Sequence, residues 1–447
     1  MKREEGPNKA QSPQKRRTAK KGAPSKTQNK RRSNRAIPGP VEATIKLGRS
    51  LRTGSAYVMK VSRKAYKGFN TFTQSQGSGP SPSGKPRSAL SRNLTYLIFL
   101  LSIFLIMAVA LMVLNNASVT VEKLTVSIVG LPQDLEGYNI LLVSDLHGRS
   151  FGTRQTSLLR TINGLSYNLL VFTGDMVGRS NDPQPFYDLL EGLSANRPAY
   201  FIAGDSDPDP LLDQARDITG TLEQLVLSDW VLGAQERGAI YLSATTPVAV
   251  GASTLWLSPA NQMSIDIQST LATLKEEVEL ETEGTLDGME VDRSNLPFSD
   301  WRYRQIQKLD EAVRQMNSED THIALSHYPP SQEYIDITQD LGAQEEEPYT
   351  YLPAVDLVLA GHYCGGGWKL PFIGALYVPN SLLLRHGWLP AQEEVQGLRT
   401  LGSTQLYTSP GLSVTDRIFL PNFRLFNPPT ITLITLTSAI TDDLLGD

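Results

Sequence analysis

Five short apolar runs, each ending on an acidic residue or a histidine, constrain this chain most strongly. The first run, 140–143 (Ile-Leu-Leu-Val), leads into Ser144, Asp145 and His147. Such runs are typical of buried parallel strands, and open α/β sheets carry their chemistry just beyond the carboxyl ends of these strands. Asp145 and His147 are therefore expected where a metal ion would bind, although a single Asp-x-His pair could also arise by chance in a surface turn.

The same design recurs four more times. The later runs and the residues that follow them are 169–173 with Gly174-Asp175, 200–203 with Gly204-Asp205, 323–326 with His327, and 357–360 with Gly361-His362. Five strand ends that carry hard or borderline ligands predict one shared metal site. The chain has only five histidines, and three of them occupy these positions. Any one of these histidines could have a purely structural role in the core or at the surface. A structural role for all three does not explain why each follows a predicted strand.

The order of these blocks resembles the calcineurin-like metallophosphoesterase family over residues 121 to about 436. The similarity is closest to the membrane-anchored branch whose first block is Ser-Asp-Leu-His, and it extends to Ser-His-Tyr-Pro at 326–329 and Arg-Leu-Phe-Asn-Pro-Pro at 424–429. The resemblance implies an α/β fold in which two β-sheets form a sandwich flanked by helices. The apolar segment 94–114, described below, predicts one transmembrane helix before this fold.

The resemblance also implies two divalent ions about 3.5 to 4 Å apart that share a carboxylate and activate water for attack on phosphorus. Matched position by position, one ion would be held by Asp145, His147, Asp175 and Cys364. The second ion would be held by Asp175, which bridges the two, and by Asp205, His327 and His362.

Two blocks depart from the family pattern. Asp205 stands where the family has Asn, and Cys364 stands where it has the last His. Asp205 adds one negative charge, and Cys364 adds another if it is a thiolate. A less positive site makes the ions weaker Lewis acids. A thiolate also favours Zn, Fe or Mn over Mg. The alternative is that Cys364 is a small buried residue outside the ligand set. As the only cysteine, it cannot form an intramolecular disulfide.

The family's catalytic His is Ser206 here, within Gly204-Asp205-Ser206-Asp207. The resemblance makes Asp175, Ser206 and Asp207 the candidate catalytic residues. Serine has no pKa near 7 and cannot deliver a proton as histidine does, a contribution of about 10²- to 10⁴-fold. Activity would then depend on the metals, on good leaving groups, or on Asp207 or His322 acting as the acid.

The first 93 residues differ in composition from the rest. They contain 23 of the 42 Lys and Arg but only 3 of the 46 acids, so the remainder has 19 basic and 43 acidic residues. Few large apolar residues occur there, which predicts a disordered cytoplasmic tail. The basic cluster at 15–21 could bind nucleic acid, but anionic lipid headgroups are the favoured partner because an apolar segment follows.

Residues 94–114 form that segment, and a helix of this length matches the roughly 30 Å hydrocarbon core of a bilayer. A cleavable signal peptide would have a much shorter leader and a shorter apolar run. Basic residues cluster before the segment, which predicts a single-pass protein of the cell membrane with a cytoplasmic amino terminus. Residues 115–447 would be the extracytoplasmic phosphoesterase domain.

Within this domain the pattern predicts an edge strand at 119–129, crossover helices, and closing strands within 418–436. The predicted helices are 154–164, 183–193 and 299–316. Strands predicted at 239–242, 247–250 and 254–257 fit the second sheet. The acidic segment 262–298 lacks strong apolar periodicity and is predicted to be a solvated loop or mobile cap, with a substrate-binding lid as the alternative.

The sequence is compatible with three hypotheses of function. The leading hypothesis is a membrane-anchored phosphoesterase that hydrolyses a phosphomonoester or phosphodiester. Its main rival is an inactive relative that acts as a metal-binding or scaffold module at the membrane. A weaker third hypothesis assigns the function to the basic tail, as a binder of anionic lipid or nucleic acid.

Overall fold

The computed structural model describes residues 89–439, except for 195–196, 217–219, 287–288, 344–348, 379–386 and 415–423. The chain divides into two compact units, 1–92 and 93–447. Only the last four residues of the first unit are described. The predicted basic tail therefore lies almost entirely outside the described residues.

Helix α1 spans Ala89–Ala117 and includes the segment that was predicted to cross a membrane. Its large apolar side chains from Leu94 to Met107 are exposed. No helix in the described part of the chain is both long and apolar enough to span a membrane. The predicted transmembrane helix is therefore not confirmed.

The first sheet has six strands, and its centre carries three of the five predicted strand ends. In spatial order the strands are β1 (Thr120–Ile128), β16 (Thr430–Ser438), β2 (Asn139–Val143), β3 (Leu169–Thr173), β4 (Ala199–Ile202) and β5 (Ala239–Tyr241). All neighbours are parallel except β16 and β2. The edge strand predicted at 119–129 is confirmed as β1. The 239–242 strand was wrongly placed, because β5 extends this sheet and not the second one.

The second sheet also has six strands. In spatial order they are β14 (Gly397–Leu401), β15 (Thr404–Thr408), β11 (Leu357–Ala360), β10 (Thr321–Ser326), β7 (Ser253–Pro259) and β6 (Thr246–Val250). The four inner strands are parallel, and an antiparallel hairpin partner closes each side. Two short hairpins complete the strands, β8 (Thr285–Leu286) with β9 (Met289–Glu290), and β12 (Lys369–Leu370) with β13 (Gly374–Ala375).

The two sheets pack face to face, and β2 shows why its sequence is continuously apolar. Ile140 and Leu142 join the core between the sheets, where they cluster with residues such as Leu325 of β10. Leu141 and Val143 point to the opposite face and join a second core under the helices. Both faces of β2 are therefore buried, and each fully buried large apolar side chain contributes about 1.5–3 kcal/mol.

In the described part of the chain, eight further α-helices surround the sheets. They are α2 (Thr156–Asn163), α3 (Gln184–Glu191), α4 (Leu222–Val226), α5 (Asp229–Glu236), α6 (Ile267–Glu283), α7 (Leu296–Gln315), α8 (Gln332–Gly342) and α9 (Gln392–Val395). Helices α2, α3 and α7 confirm the three predicted helices to within a few residues at each end. The mixed sheets flanked by helices confirm the predicted α/β sandwich.

The acidic segment 262–298 is not a solvated loop. Its central part is α6, a 17-residue helix whose Asp266 side chain accepts a hydrogen bond from the Ser269 N–H as an amino-terminal cap. Ile267 and Leu274 are buried in a cluster with Ile306 and other residues of α7. The helical spacing was present in the sequence but was obscured by the acidic residues on the exposed face. The segment thus forms a packed helical cap.

Candidate metal centre

All five predicted strand ends meet at one edge of the sandwich. Asp145, Asp175 and Asp205 follow β2, β3 and β4 of the first sheet, and His327 and His362 follow β10 and β11 of the second. Parallel strands present their carboxyl ends on the same edge, so residues far apart in sequence converge there. Two groups of potential ligands result, and within each group the ligand atoms lie within 4.8 Å of one another.

The first group contains Asp145, His147 and Cys364, all of them buried. The Cys364 sulfur lies 3.6 Å from Asp145 Oδ1 and 3.8 Å from His147 Nε2. Cys364 therefore points into the ligand group and does not leave it. A carboxylate, an imidazole and a thiol in this arrangement suit a borderline ion such as Zn²⁺.

The second group contains Asp175, Asp205, His327 and His362. His327 Nε2 lies 3.1 Å from Asp205 Oδ1 and 3.4 Å from Asp175 Oδ2. His362 Nδ1 lies 3.2 Å from the same Asp205 oxygen and 3.1 Å from His327 Nε2. Two carboxylates and two imidazoles thus point at one small volume, which fits a divalent ion.

Asp175 links the two groups through a single oxygen. Its Oδ2 lies 3.5 Å from His147 Nε2 in the first group and 3.4 Å from His327 Nε2 in the second. Its Oδ1 is turned away and accepts a hydrogen bond of 2.8 Å from the Ser206 N–H. This is the arrangement required of a carboxylate that bridges two ions, as the family resemblance implied for Asp175.

The backbone at the site is held in an unusual conformation. Five of the seven candidate ligands have positive φ angles between 49° and 70°, and these are Asp145, His147, Asp175, His362 and Cys364. For residues other than glycine the left-handed region costs about 1–2 kcal/mol each. Such strain concentrates at functional sites, where the surrounding fold imposes it. Here it turns each side chain toward the shared centre immediately after its strand ends.

Two glycines allow the ligand loops to approach each other. A Cβ on Gly174 would lie 2.7 Å from both His327 Nδ1 and the Gly204 nitrogen, and a Cβ on Gly204 would lie 2.1 Å from Asp175 Oδ1. Neither distance is compatible with a side chain. The glycine of each Gly-Asp pair is therefore required by the close packing of the loops that follow β3 and β4.

Hydrogen bonds outside the ligand groups orient the ligands. His327 Nδ1 donates to the Thr173 carbonyl oxygen at 2.8 Å, which leaves Nε2 to face the centre. The Ser144 hydroxyl donates to Asp145 Oδ2, and the His362 N–H donates to Asp145 Oδ1 at 3.0 Å. Partners of this kind fix the tautomer and orientation of metal ligands.

Electrostatics within the second group favour charged side chains. Burial opposes ionisation of Asp175, but the charge and hydrogen bond of His327 and the charge of His147 outweigh it and lower the pKa of Asp175 to about 2. Hydrogen bonds from His327 and His362 likewise overcome burial and hold the pKa of Asp205 below its usual range. The pKa of His327 is raised well above its usual value by Asp175 and Asp205, against the effect of burial. A bound cation would take the place of the proton on His327.

In the absence of a metal ion, the surroundings of Cys364 favour its neutral thiol form. Burial and the negative charges of Asp145 and Asp175 raise the pKa of its thiol well above the usual value, and only the charge of Arg424 opposes this. A thiolate at this position therefore requires a nearby positive charge. A metal ion in the first group would supply most of it, and Arg424 would add to it.

Arg424 is a residue whose role the sequence did not predict. Its side chain is 1 % exposed, and its guanidinium donates to three backbone oxygens, those of Pro410, Ser413 and Asn427. Burial lowers the pKa of Arg424 to about 10, so it stays charged at neutral pH. Arg424 is the first residue of the 424–429 motif, but the neighbouring residues in the sequence do not indicate that it is buried beneath the site.

The backbone that Arg424 bonds lies next to both ligand loops of the first group and is hydrogen-bonded to them. The Ser413 N–H donates to the Asp145 carbonyl at 2.8 Å, and Asn427 Nδ2 donates to the Cys364 carbonyl at 3.0 Å. The Asn116 side chain at the end of α1 bonds both the N–H and the carbonyl of Arg424, at 2.9 and 2.8 Å. Arg424 therefore connects the end of α1 to the first ligand group.

Both carboxylate oxygens of Asp207 accept hydrogen bonds from backbone N–H groups. Its Oδ1 accepts from the N–H groups of Val177 and Gly178 at 2.7 and 3.0 Å, and its Oδ2 accepts from the Gly204 N–H at 2.9 Å. Burial and the Asp175 charge raise the pKa of Asp207, against the effect of these donors. Because both oxygens are engaged, the geometry gives no support to Asp207 as a proton donor. Its contacts assign it to holding together the loops after β3 and β4.

His322 cannot replace the missing imidazole, because it lies at the opposite end of β10 from the site. His327 lies five positions further along the chain, which corresponds to about 16 Å along a strand. Its Nε2 is 2.7 Å from the Ser258 hydroxyl, and its N–H donates to Asp356 Oδ2 at 2.8 Å. Burial lowers the pKa of His322 to about 4 and raises that of Asp356 to about 6.

Ser206 is buried beside the centre, and its N–H contacts Asp175.

Comparisons with known proteins agree with this geometry. The sequence profile of the calcineurin-like phosphoesterases matches residues 138–365, slightly more than half of the chain. No curated protein gives a significant match. One similar solved structure is a phosphopantetheinyl hydrolase from Mycobacterium tuberculosis, with 11% identity, a TM-score of 0.30, and coverage of 62% of this chain and 91% of that one.

A second similar structure is TT1561 of Thermus thermophilus, with 12% identity, a TM-score of 0.28, and coverage of 61% of this chain and 89% of that one. Similarity at this level carries no inference about substrate. The sequence profile covers all five strand ends and both ligand groups. The chain therefore belongs to the calcineurin-like phosphoesterase family.

Proposed function

We propose that this protein is a metal-dependent phosphoesterase that hydrolyses a phosphomonoester or phosphodiester with a good leaving group. The observation that carries the proposal is the single Asp175 oxygen that faces both ligand groups, within 3.5 Å of a histidine nitrogen in each. A structural metal site needs no such shared ligand. Two adjacent ions with a common carboxylate are the arrangement that supports in-line displacement at phosphorus.

When bound, two divalent ions would supply Lewis-acid activation of water and of the phosphoryl oxygens. The side chains Asp145, His147 and Cys364 would hold one ion, and Asp205, His327 and His362 the other, with Asp175 between them. The strained backbone and the outer hydrogen bonds keep these ligands in place before the metal binds. We infer that Zn, Fe or Mn is preferred over Mg, because Cys364 offers a soft sulfur ligand.

Ser206 restricts which leaving groups the site can release, because it cannot donate a proton as histidine does. The family's imidazole is missing, Asp207 is occupied by backbone donors, and His322 lies at the far end of its strand. Neither Asp207 nor His322 is therefore placed to deliver a proton to the leaving oxygen. We propose that the enzyme favours substrates whose leaving group departs without protonation, such as aryl or otherwise acidic alcohols.

The test is hydrolysis of an aryl phosphodiester by the full-length protein loaded in turn with Mn²⁺, Zn²⁺ and Fe²⁺. Asp175→Asn keeps the shape of the bridging residue but removes its charge, and it should lower turnover by at least about 10³-fold, since both ions depend on it. Asp340→Asn, on the exposed face of α8, is the matched control and should behave as wild type. Equal activity of the two variants would refute the proposal.

A scaffold role is the second candidate, and the missing imidazole at Ser206 is the observation that favours it. Such a protein would bind metal through the same ligand groups and position a partner without turnover. Stoichiometric metal binding together with no detectable hydrolysis under any metal would support the scaffold role over the enzyme.

Attachment to a membrane stays a prediction from the sequence. We propose that the apolar segment 94–114 places the domain at the cell membrane, with the basic tail against anionic lipid on the cytoplasmic side and the domain outside. The exposed apolar side chains of α1 are consistent with this proposal. A protease added to intact cells should then degrade residues after 115 and spare the first 90 or so, and protection of the domain would contradict the topology.

A further inference from the structure

A cavity of about 810 Å³ lies beside the second ligand group. Ser326, His327 and Tyr328 form its wall on the metal side, and the helical cap of α6 and α7 forms the opposite wall. Pockets of this size hold organic ligands of several hundred daltons. The cavity is much larger than a phosphate group requires, so most of its volume is available to the rest of a substrate.

Apolar side chains supply just over half of the cavity lining and form one continuous part of its wall. Trp301 and Tyr241 supply aromatic surface, and Leu274, Ile306 and Leu242 supply aliphatic surface. Of these, all but Tyr241 are at least nine-tenths buried in the folded domain. Surfaces of this composition bind the body of an apolar ring better than a polar or hydrated group.

Gln305 provides a polar contact within this apolar wall. It is 5 % exposed, and its Oε1 accepts a hydrogen bond of 2.9 Å from the Ser243 hydroxyl. Among the described residues no hydrogen-bond partner meets its Nε2, although the side chain lines the cavity. Whichever way the amide is turned, one of its two polar atoms has no hydrogen-bond partner among the described residues and is available to a ligand. A buried amide in this state favours a ligand that carries a hydrogen-bonding group.

Charge limits what the cavity accepts. The ionisable residues that line it, apart from His327 and the tyrosines, are Asp209, Asp266 and Arg302. The charge of His327 is neutralised by the Asp175 and Asp205 carboxylates that contact it, so the other two carboxylates and one guanidinium leave a net negative charge at the lining. A second phosphate or a carboxylate on the ligand would be repelled, so the cavity disfavours nucleoside diphosphates and similar polyanions.

We infer that this cavity binds the leaving group of the substrate, and that this group is an uncharged, ring-bearing alcohol with one hydrogen-bonding edge directed to Gln305. The inference rests on the proposed phosphoesterase function. In the reaction a water oxygen forms the new bond to phosphorus and releases a proton to the solvent. The bond from phosphorus to the alcohol oxygen breaks, and that oxygen acquires a proton from the solvent. The cap of α6 and α7 thus determines substrate class, while the strand ends perform the hydrolysis.

The test measures binding of a product-like alcohol, which requires no turnover. Full-length protein, with and without chelator treatment, is titrated by calorimetry with 2-naphthol, which is uncharged at neutral pH, and with 2-naphthoate, its anionic counterpart. Thr270→Trp fills the cavity from α6, whereas Thr273→Trp adds the same bulk to the same helix outside the cavity. Gln305→Leu removes the amide, and Gln307→Leu is its exposed control on α7.

We expect 2-naphthol to bind in both metal states, and 2-naphthoate to bind at least tenfold more weakly in the chelator-treated protein, where no ion can bind its carboxylate. Thr270→Trp should weaken 2-naphthol at least tenfold and Gln305→Leu several-fold, with both controls within twofold of wild type. No binding of 2-naphthol, equal binding of the two probes to the chelator-treated protein, or equal effects of Thr270→Trp and Thr273→Trp would overturn the inference. If one variant fails to fold, the two probes and the remaining variant still decide it.

Failure of this inference is distinguishable from failure of the proposed function. Hydrolysis of an aryl phosphodiester without binding of 2-naphthol would leave the phosphoesterase intact and refute the cavity assignment. Binding of 2-naphthol at this cavity without hydrolysis would support the cavity as a ligand site and refute the catalytic role.

Discussion

Replacing Arg424 with methionine should destabilise the domain and empty the first ligand group. The guanidinium satisfies three buried carbonyl oxygens, those of residues 410, 413 and 427. Each buried acceptor left without a donor costs about 1–3 kcal/mol, and three of them cost about 3–9 kcal/mol. Release of the guanidinium from burial offsets part of this, so we expect a loss of at least about 3 kcal/mol out of a total stability of about 5–15 kcal/mol.

The same substitution removes the positive charge that opposes the raised pKa of the Cys364 thiol. Thiolate formation then becomes harder, and the first ligand group should hold its ion only at higher pH than in wild type. Arg424→Lys separates the two effects, because it retains the charge but loses the fork geometry that reaches three acceptors. It should lose stability yet retain more metal than Arg424→Met.

Urea denaturation and elemental analysis of the full-length protein provide the assay. Arg304→Met is the control, since Arg304 forms an exposed pair with Asp300 on α7 and should change stability by less than about 0.5 kcal/mol. The reasoning is refuted if Arg424→Met unfolds within about 1 kcal/mol of wild type and retains both ions at neutral pH.

The site and its surroundings lead to three more expected outcomes. Ser206→His should raise turnover most for substrates with poor leaving groups, because only these need a proton as the bond breaks, and equal gains for all leaving groups would contradict this. The buried Asp356 carboxyl, with its pKa of about 6, is protonated in the folded state at acidic pH and loses this stabilisation as pH rises from 4 through 6. Asp356→Asn should therefore gain up to about 3 kcal/mol over wild type between pH 4 and pH 7 in urea titrations, and a constant difference would argue against the shift. Chelation should lower the melting temperature of the wild type but not of Asp175→Asn, since strain at the ligand loops is offset only when ions bind.

The strand ends could be predicted because their signal is local. An apolar run followed at once by an acid or a histidine indicates both the strand and the position of the ligand, as at Asp145 after β2 and His327 after β10. The order of the blocks then supplied the family resemblance and the two ligand groups. The same local pattern also indicated the three crossover helices.

The features that the sequence did not reveal depend on long-range contacts. Arg424 is buried because residues 410, 413 and 427 surround it, and no periodicity in the sequence indicates this. Helix α6 was concealed by the acidic residues on its exposed face, although Ile267 and Leu274 have helical spacing. The backbone partners of Asp207 and the distance of His322 from the centre likewise became apparent only when the strands were placed in register.

The central claim is that two ions bind here, share Asp175, and include Cys364 as a thiolate ligand. The most direct measurement is the stoichiometry and absorption spectrum of the Co²⁺-loaded protein, because a bond from thiolate to Co²⁺ adds an intense charge-transfer band. We predict about two ions per chain with this band in wild type, and about one ion without it in Cys364→Ala. A wild-type protein that binds no Co²⁺, or a Cys364→Ala variant with unchanged stoichiometry and spectrum, would contradict the account.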